Sequence, residues 1–379
     1  MSDGTKKGLL GFGLMRLPKK GGAIDVEQVA AMADRFLEAG FDYFDTAWAY
    51  PGSEEAIREA LVKRHPRESF RLATKNAAWI GCKSAEEAKR QLATSLERTG
   101  AGYIDYYLLH NLGESRTKVF EEWGLWEWAQ EQKEAGLVRH VGFSFHSTAD
   151  ELEGILRRHP EAEFVQLQIN YADWESPSVQ SRRCWEVARA HGKPVVVMEP
   201  VKGGMLATPP REVREVFARA GGGSPAGWAL RFAADLDGVM AVLSGMGSMA
   251  QMEENIGVLK GFAGLSEGQR RVLEEAREAM ARQPTIPCTS CDYCAKACPK
   301  GVGISGSFAA MNCLLLYGDV EAARQQEGWL VGMHGKKSAG ECVGCGKCEA
   351  VCPQHIAIRE ELRRVAGALR GGRAPRSDE

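Results

Sequence analysis

The chain has 379 residues, of which 44% are apolar and 26% charged, and a formal net charge of −2. These are ordinary values for a globular protein with a sizeable core; they give no basic surface for nucleic acid, and no apolar run is of membrane-spanning length. The opening MSDGTKKGLLGFG lacks a signal-peptide pattern, so a cytoplasmic location is expected.

In chain order, 11-GFGLMR-16 precedes any strand and helix repeat and is expected to be a hairpin plugging the bottom of a barrel. An amphipathic helix follows over 26-VEQVAAMADRFLEAG-40, with Gly40 at its end. Short apolar runs of strand composition then recur at 41–47, 70–75, 104–110, 138–145, 164–170, 194–200 and 238–245, separated by helix-length stretches. Repeated strand and helix units imply a parallel sheet. Seven strands are legible, and an eighth is expected near 211-REVREVFARAGGG-223. An open doubly wound sheet fits the periodicity equally, but no strand is followed by a G-x-G-x-x-G fingerprint, which favours a (β/α)₈ TIM barrel. Ser224 and Pro225 mark a helix start, residues 246–283 read as helical, and 284-PTIP-287 interrupts the pattern. The tail after Arg359 is expected to be a frayed, solvated end.

Cysteine usage changes abruptly along the chain. Only Cys82 and Cys184 precede residue 288, and nine cysteines lie from Cys288 onward. The expected division is therefore a barrel over 1–283 and a cysteine-rich domain over 284–379.

Polar residues at the ends of barrel strands carry the chemistry of this fold. Asp45 and Tyr50 follow the first apolar run, Lys75 ends the second and His110 ends the third. Singly, each has a bland explanation as a cap, a packing residue, a solvated cation or a core imidazole. Together they supply what carbonyl reduction needs. Hydride addition leaves an alkoxide, which Tyr50 can protonate; Lys75 is expected to lower the phenol pKa, Asp45 to hold Lys75, and His110 to hydrogen-bond the substrate oxygen.

The segments 45-DTAWAY-50, 52-GSEE-55, 72-LATK-75, 108-LLHN-111, 134-EAGLVRHVGFSFH-146, 164-FVQLQINY-171, 199-EPVKGGML-206 and 253-EENI-256 resemble the aldo/keto reductase superfamily, in family order over roughly residues 7–260. The resemblance implies that Asp45, Tyr50, Lys75 and His110 are the catalytic tetrad and that the cofactor is NADPH or NADH. It also implies a cofactor site that includes Gly13, Met15, Arg16 and Asp45. Ser144 and Gln166 would hold the nicotinamide carboxamide, with Asn170 sharing that role because Phe145 replaces the usual asparagine. Met198 takes the place of a stacking aromatic, and Lys202 would reach the pyrophosphate. At the adenosine end stand Ser244, Gly245, Gln251, Glu254 and Asn255; Gly245 and Gln251 replace cations that favour a 2′-phosphate, so NADH or dual use is expected rather than an NADPH preference. Trp48, Trp79, Asn111 and Phe145 are the expected substrate-pocket residues beside His110.

Two copies of C-x₂-C-x₂-C-x₃-C-P, 288-CTSCDYCAKACP-299 and 342-CVGCGKCEAVCP-353, have bacterial ferredoxin spacing for [4Fe-4S] clusters. In two-cluster ferredoxins the fourth cysteine serves the other cluster, so one set is Cys288, Cys291, Cys294 and Cys352, the other Cys342, Cys345, Cys348 and Cys298. Structural zinc has no need of a third cysteine and a Cys-Pro in each half. Cys82, Cys184 and Cys313 fit no ligand spacing. The segment 305–325 reads as helical, so a largely α-helical di-cluster domain is expected, as in aldo/keto reductases that end in a ferredoxin-like segment.

The expected activity is reversible NAD(P)H-dependent reduction of an aldehyde or ketone. A hydride carries two electrons and a cluster accepts one, so electron exchange with the clusters calls for a ferredoxin or flavoprotein partner; the chain itself shows no flavin signature. A third reading makes the clusters structural or redox-sensing.

Overall fold

The computed structural model describes residues 8–113 and 115–369. The chain falls into two compact units: residues up to Ala207 together with Ala220–Glu274, and Thr208–Arg219 together with the chain from Glu275 onward.

The first unit is a closed parallel barrel. Its strands are β1 (Leu10–Gly13) and, beyond a small hairpin of β2 (Lys19–Lys20) with β3 (Ala23–Ile24), β4 (Tyr43–Asp45), β5 (Arg71–Asn76), β6 (Ile104–Leu112), β7 (Val138–Phe145), β8 (Phe164–Gln168), β9 (Val195–Met198) and β10 (Val239–Ser244). The barrel strands follow one another round the ring in chain order, and β1 closes it between β10 and β4. The seven legible strands fall where the apolar runs lie. The eighth does not: Arg211–Ala220 is a helix, and the missing strand is β1, inside the segment expected to form a hairpin. A four-residue strand with glycine at two positions has too little apolar character to read as a strand. The hairpin is instead the segment that follows it, β2 with β3.

Helices form where the sequence supplies an oxygen at the first turn. Asp25, Ser84, Thr148, Ser224 and Ser248 each accept a backbone N–H three residues on. The helices cover the outside of the sheet with one apolar layer. The inside is filled by Tyr43, Ala73, Leu108, Phe164, Val196, Ala241 and Leu243.

The second unit is largely helical, with helices Arg211–Ala220, Tyr293–Ala297, Ile304–Tyr317, Val320–His334, Lys347–Ala350 and Ile358–Leu369. The helical segment expected between the motifs is two helices, because Gly318 turns left-handed at φ 68° and Asp319 caps the second. Ile358–Leu369 is a helix rather than a frayed end; the remainder of the tail lies outside the described residues. Ile304, Phe308, Met311, Leu362 and Val365 are buried in the core of this unit. All eleven cysteines are free of disulfides. Among the described residues no helix is long and apolar enough to cross a membrane.

Candidate active site and cysteine-lined cavities

Successive residues of a strand face opposite sides of a barrel wall. Two positions above the inner apolar layer the same inward column continues as polar residues: Tyr43 is followed by Asp45, Ala73 by Lys75, Leu108 by His110, and Phe164 by Gln166. Strand register brings Gly13 beside Asp45, and Ser144 beside Gln166. Alternation therefore turns dispersed sequence positions into one ring at the carboxyl ends of the strands.

Within that ring Lys75, 1% exposed, donates to Asp45 Oδ1 at 2.6 Å and to the Thr46 carbonyl at 2.6 Å. Gln166 Nε2 donates to the other oxygen of Asp45 at 3.1 Å. The Lys75 ammonium lies 5.1 Å from the Tyr50 ring centroid, and the rings of Tyr50 and His110 meet edge to face at 5.9 Å. Tyr50 sits on a loop fixed from below: the Thr46 and Ser53 hydroxyls are 2.7 Å apart, Ser53 donates to the Leu14 carbonyl, and Thr74 donates to buried Glu54 at 2.7 Å. These supports of Tyr50 were missed in the sequence, although Ser53 and Glu54 lie within the GSEE segment.

Burial pulls the Lys75 pKa down, yet Asp45 and Tyr50 together hold it above its ordinary value, so the residue stays charged. The expected lowering of the Tyr50 pKa is not the net result. Burial pushes the phenol up, and the neighbouring ammonium only partly offsets it. Burial, followed by the Lys75 charge, pulls His110 well below the imidazole range, so it is neutral at pH 7, and its Nδ1 is buried without a partner.

The expected nicotinamide-side residues divide. Ser144 Oγ accepts from the Asn111 N–H at 2.7 Å, which leaves its own hydrogen to donate, and Gln166 uses one N–H on Asp45. A hydroxyl and an amide side by side on this ring suit a carboxamide. Asn170 is otherwise engaged. Both its amide hydrogens are used, on Asp173 at 2.9 Å and the Glu199 carbonyl at 3.2 Å, and its oxygen accepts from the Asp173 N–H. Lys202 is likewise held, by both oxygens of buried Asp173 at 2.5 and 2.7 Å, so it is not a loose cation waiting for a pyrophosphate. Asp173 thus ties the loop after β8 to the loop after β9. Sequence distance hides this link.

Met198 ends β9 half-buried, and Met15 and Arg16 are exposed after β1. At the far end Asn255 donates to Ser244 Oγ at 2.9 Å, Gln251 accepts from the Gly247 N–H at 2.7 Å, Gly245 is open, and Glu254 points to solvent. Trp79 donates to the His110 carbonyl at 2.9 Å, and Trp48 is half-buried with an unpartnered indole N–H. Asn111 adopts a left-handed φ of 61°. Phe145 departs from its expected pocket role. It follows inward Ser144, so it faces outward, 2% exposed among the residues under the helices.

In the second unit two small cavities are lined by thiols. One has Cys288, Cys291, Cys294 and Cys352; the other has Cys298, Cys342, Cys345 and Cys348. Three thiols of one motif and the fourth of the other surround each cavity. Burial, with help from neighbouring thiols, pushes Cys294 up to about 11, so a bound metal group would displace its proton. Among the described residues no three His, Cys, Asp or Glu side chains converge tightly enough to hold a single metal ion. Four thiols around a cavity suit a larger inorganic cluster, and the residues present fit [4Fe-4S].

Fold and site together define a TIM-barrel oxidoreductase with an iron–sulfur unit. The chain belongs to the aldo/keto reductase family, whose model matches residues 9–277, and it carries a 4Fe-4S dicluster domain matched over 287–357. An aldo-keto reductase of Mycolicibacterium vanbaalenii is 30% identical over 247 residues, 62% of this chain and 82% of the relative. Another, from Mycolicibacterium paratuberculosis, is 28% identical over 282 residues, 71% of this chain and 90% of the relative. Among solved structures, an aldo-keto reductase from Bacillus halodurans in its holo form has a TM-score of 0.57 at 24% identity, covering 72% of this chain and 92% of its own. One from Klebsiella pneumoniae in complex with NADPH has a TM-score of 0.57 at 20% identity, covering 71% and 93%.

Proposed function

We propose that this chain catalyses the reversible NAD(P)H-dependent reduction of an aldehyde or ketone, with Tyr50 as general acid, and that its second unit holds two [4Fe-4S] clusters. The reading rests on the buried Lys75–Asp45 pair at 2.6 Å, set against Tyr50 and His110 in the inward ring. Breaking a buried pair of this kind costs about 3–5 kcal/mol, so a residue set arranged this way is held in place. A nicotinamide held by Ser144 and Gln166 would supply the hydride.

The protein's own groups manage the oxygen and its proton. Tyr50 Oη, kept protonated by burial, gives its proton to the carbonyl oxygen as negative charge develops there. Lys75 stabilises the phenolate left behind, and Asp45 with Gln166 keeps the ammonium aimed at it. His110, neutral, donates one hydrogen bond to the same oxygen without competing for the proton. Ser144 and Gln166 orient the carboxamide. The uncharged Gly245 and Gln251 leave a 2′-phosphate without a charge-assisted partner, so NADH is accepted alongside NADPH.

A small carbonyl or alcohol is the substrate, and a ferredoxin or flavoprotein exchanges single electrons with the clusters. The reducing cytoplasm, where thiols stay free for iron, suits the cysteine content. The test is Tyr50→Phe, assayed with either nicotinamide. The variant is expected to bind cofactor normally and lose carbonyl reduction by about 10²–10⁴-fold. Full activity in that variant would sink the mechanism.

A further inference from the structure

The two cysteine cavities are built by one pattern applied twice, which makes their differences readable. Aligning the motifs cysteine by cysteine pairs Cys288 with Cys342, Cys291 with Cys345, Cys294 with Cys348 and Cys298 with Cys352. The paired thiols have matching exposure: partial, exposed, buried and partial. The backbone matches too. Ser290, Asp292 and His355 take left-handed φ values of 56°, 57° and 52°, where their counterparts are Gly344, Gly346 and Gly301 at 69°, 75° and 68°. Each cavity also receives the first turn of one helix, Ile304 in one and Ile358 in the other.

Charge breaks the symmetry. Around the cavity of Cys288, Cys291, Cys294 and Cys352 stand Asp292 and Gln354, and Asp292 accepts from Ser305 at 2.5 Å. At the matching positions the other cavity has Gly346 and Lys300, with Arg359 in place of Ser305. The Arg359 guanidinium carbon lies 3.5 Å from where a Gly346 Cβ would be, in the space that Asp292 takes on the other side. Glu349 binds Arg359 at 2.8 Å and offsets one cation, while Lys300 remains. One cavity therefore has a net negative side chain, the other a net positive one.

Cluster reduction potential depends on cluster type, exposure, hydrogen bonds to sulfur and nearby charge. Type and exposure match here. Backbone hydrogen bonds reach both sets, from Ser290 to Cys288 on one side, and from Gly344 to Cys342 and Val302 to Cys298 on the other. Charge differs in sign between the two, and a cation stabilises the more negative, reduced cluster; the Val302 N–H on sulfur acts in the same direction. We infer that the cluster held by Cys298, Cys342, Cys345 and Cys348 has the higher reduction potential, so that an electron delivered by a one-electron reductant comes to rest there. In that step one reduced cluster is oxidised by a single electron and the other takes it up; no bond or proton changes. The inference rests on the two-cluster reading above.

The test is an anaerobic potentiometric titration of the full chain, reduced with dithionite and followed by electron paramagnetic resonance. Two separate one-electron steps are expected. Lys300→Gln and Arg359→Gln should each lower the upper step and leave the lower one in place, and Asp292→Asn should raise the lower step alone. If the two cation variants move the lower step, or neither, with both clusters intact, the ordering is wrong. A chain without iron and acid-labile sulfide for two cubane clusters would overturn the cluster reading itself and the ordering with it.

Discussion

Lys75 sits at 1% exposure with its charge intact, and that charge acts on its neighbours second to burial. It opposes the ionised form of His110 and favours the ionised form of Tyr50; burial opposes both ionised forms. The sign of the pH dependence follows. His110 is already neutral well below its ordinary value of 6.5, so carbonyl reduction is expected to show no inflection there. With Tyr50 as the proposed acid, reduction would need the protonated phenol, whose pKa burial raises, so activity in that direction is expected to fall only at strongly alkaline pH. The reverse oxidation needs phenolate and should rise with pH instead. A profile of kcat/KM against pH checks this. An inflection near 6.5 that vanishes in His110→Gln would show a titrating imidazole and contradict the assignment. The four polar residues of the ring were legible because strand-end position is a property of the sequence. The engagement of Asn170 and Lys202 by Asp173 was not, since it depends on two loops meeting.

At the level of elements, the alternation that aims the polar ring also limits what can stand beneath it. Gly142 lies directly below Ser144 on β7, and a Cβ added there would lie 2.5 Å from the Phe164 carbonyl oxygen and 2.7 Å from its ring. The glycine lets Phe164 fill the barrel. Gly142→Ala should therefore cost about 1–3 kcal/mol by overpacking, read as a lower denaturation midpoint. An unchanged midpoint would mean that β7 and β8 can separate without strain. Seven strands were visible because apolar runs of strand length stand between amphipathic helices. β1 was hidden because its glycines resemble a turn; an added Cβ at Gly11 would lie 2.6 Å from the Leu243 side chain that fills the barrel.

At the scale of the whole molecule, the units differ in what holds them together. The barrel has a continuous core beneath its helices and a second one inside its wall. The cysteine loops instead hang on helices of five and four residues, Tyr293–Ala297 and Lys347–Ala350, which are too short to persist alone in water. Removing iron from the full chain under anaerobic conditions is expected to raise amide hydrogen exchange across 288–358 and to leave the barrel strands protected. Equal loss of protection in both units would show that the barrel depends on the metal for its stability.

The exchange of the fourth cysteine has a bearing on manufacture and wear. Neither motif possesses four thiols for its own cavity, so neither site can be completed until both loops are in place. Cys291 and Cys345, the exposed members, are where an oxidant arrives first. With two clusters bound as proposed, loss of one would release Cys352 or Cys298 as well, and with it the loop that frames the other site. Assembly of the pair would then be all-or-none, and injury at one site would pass to its twin.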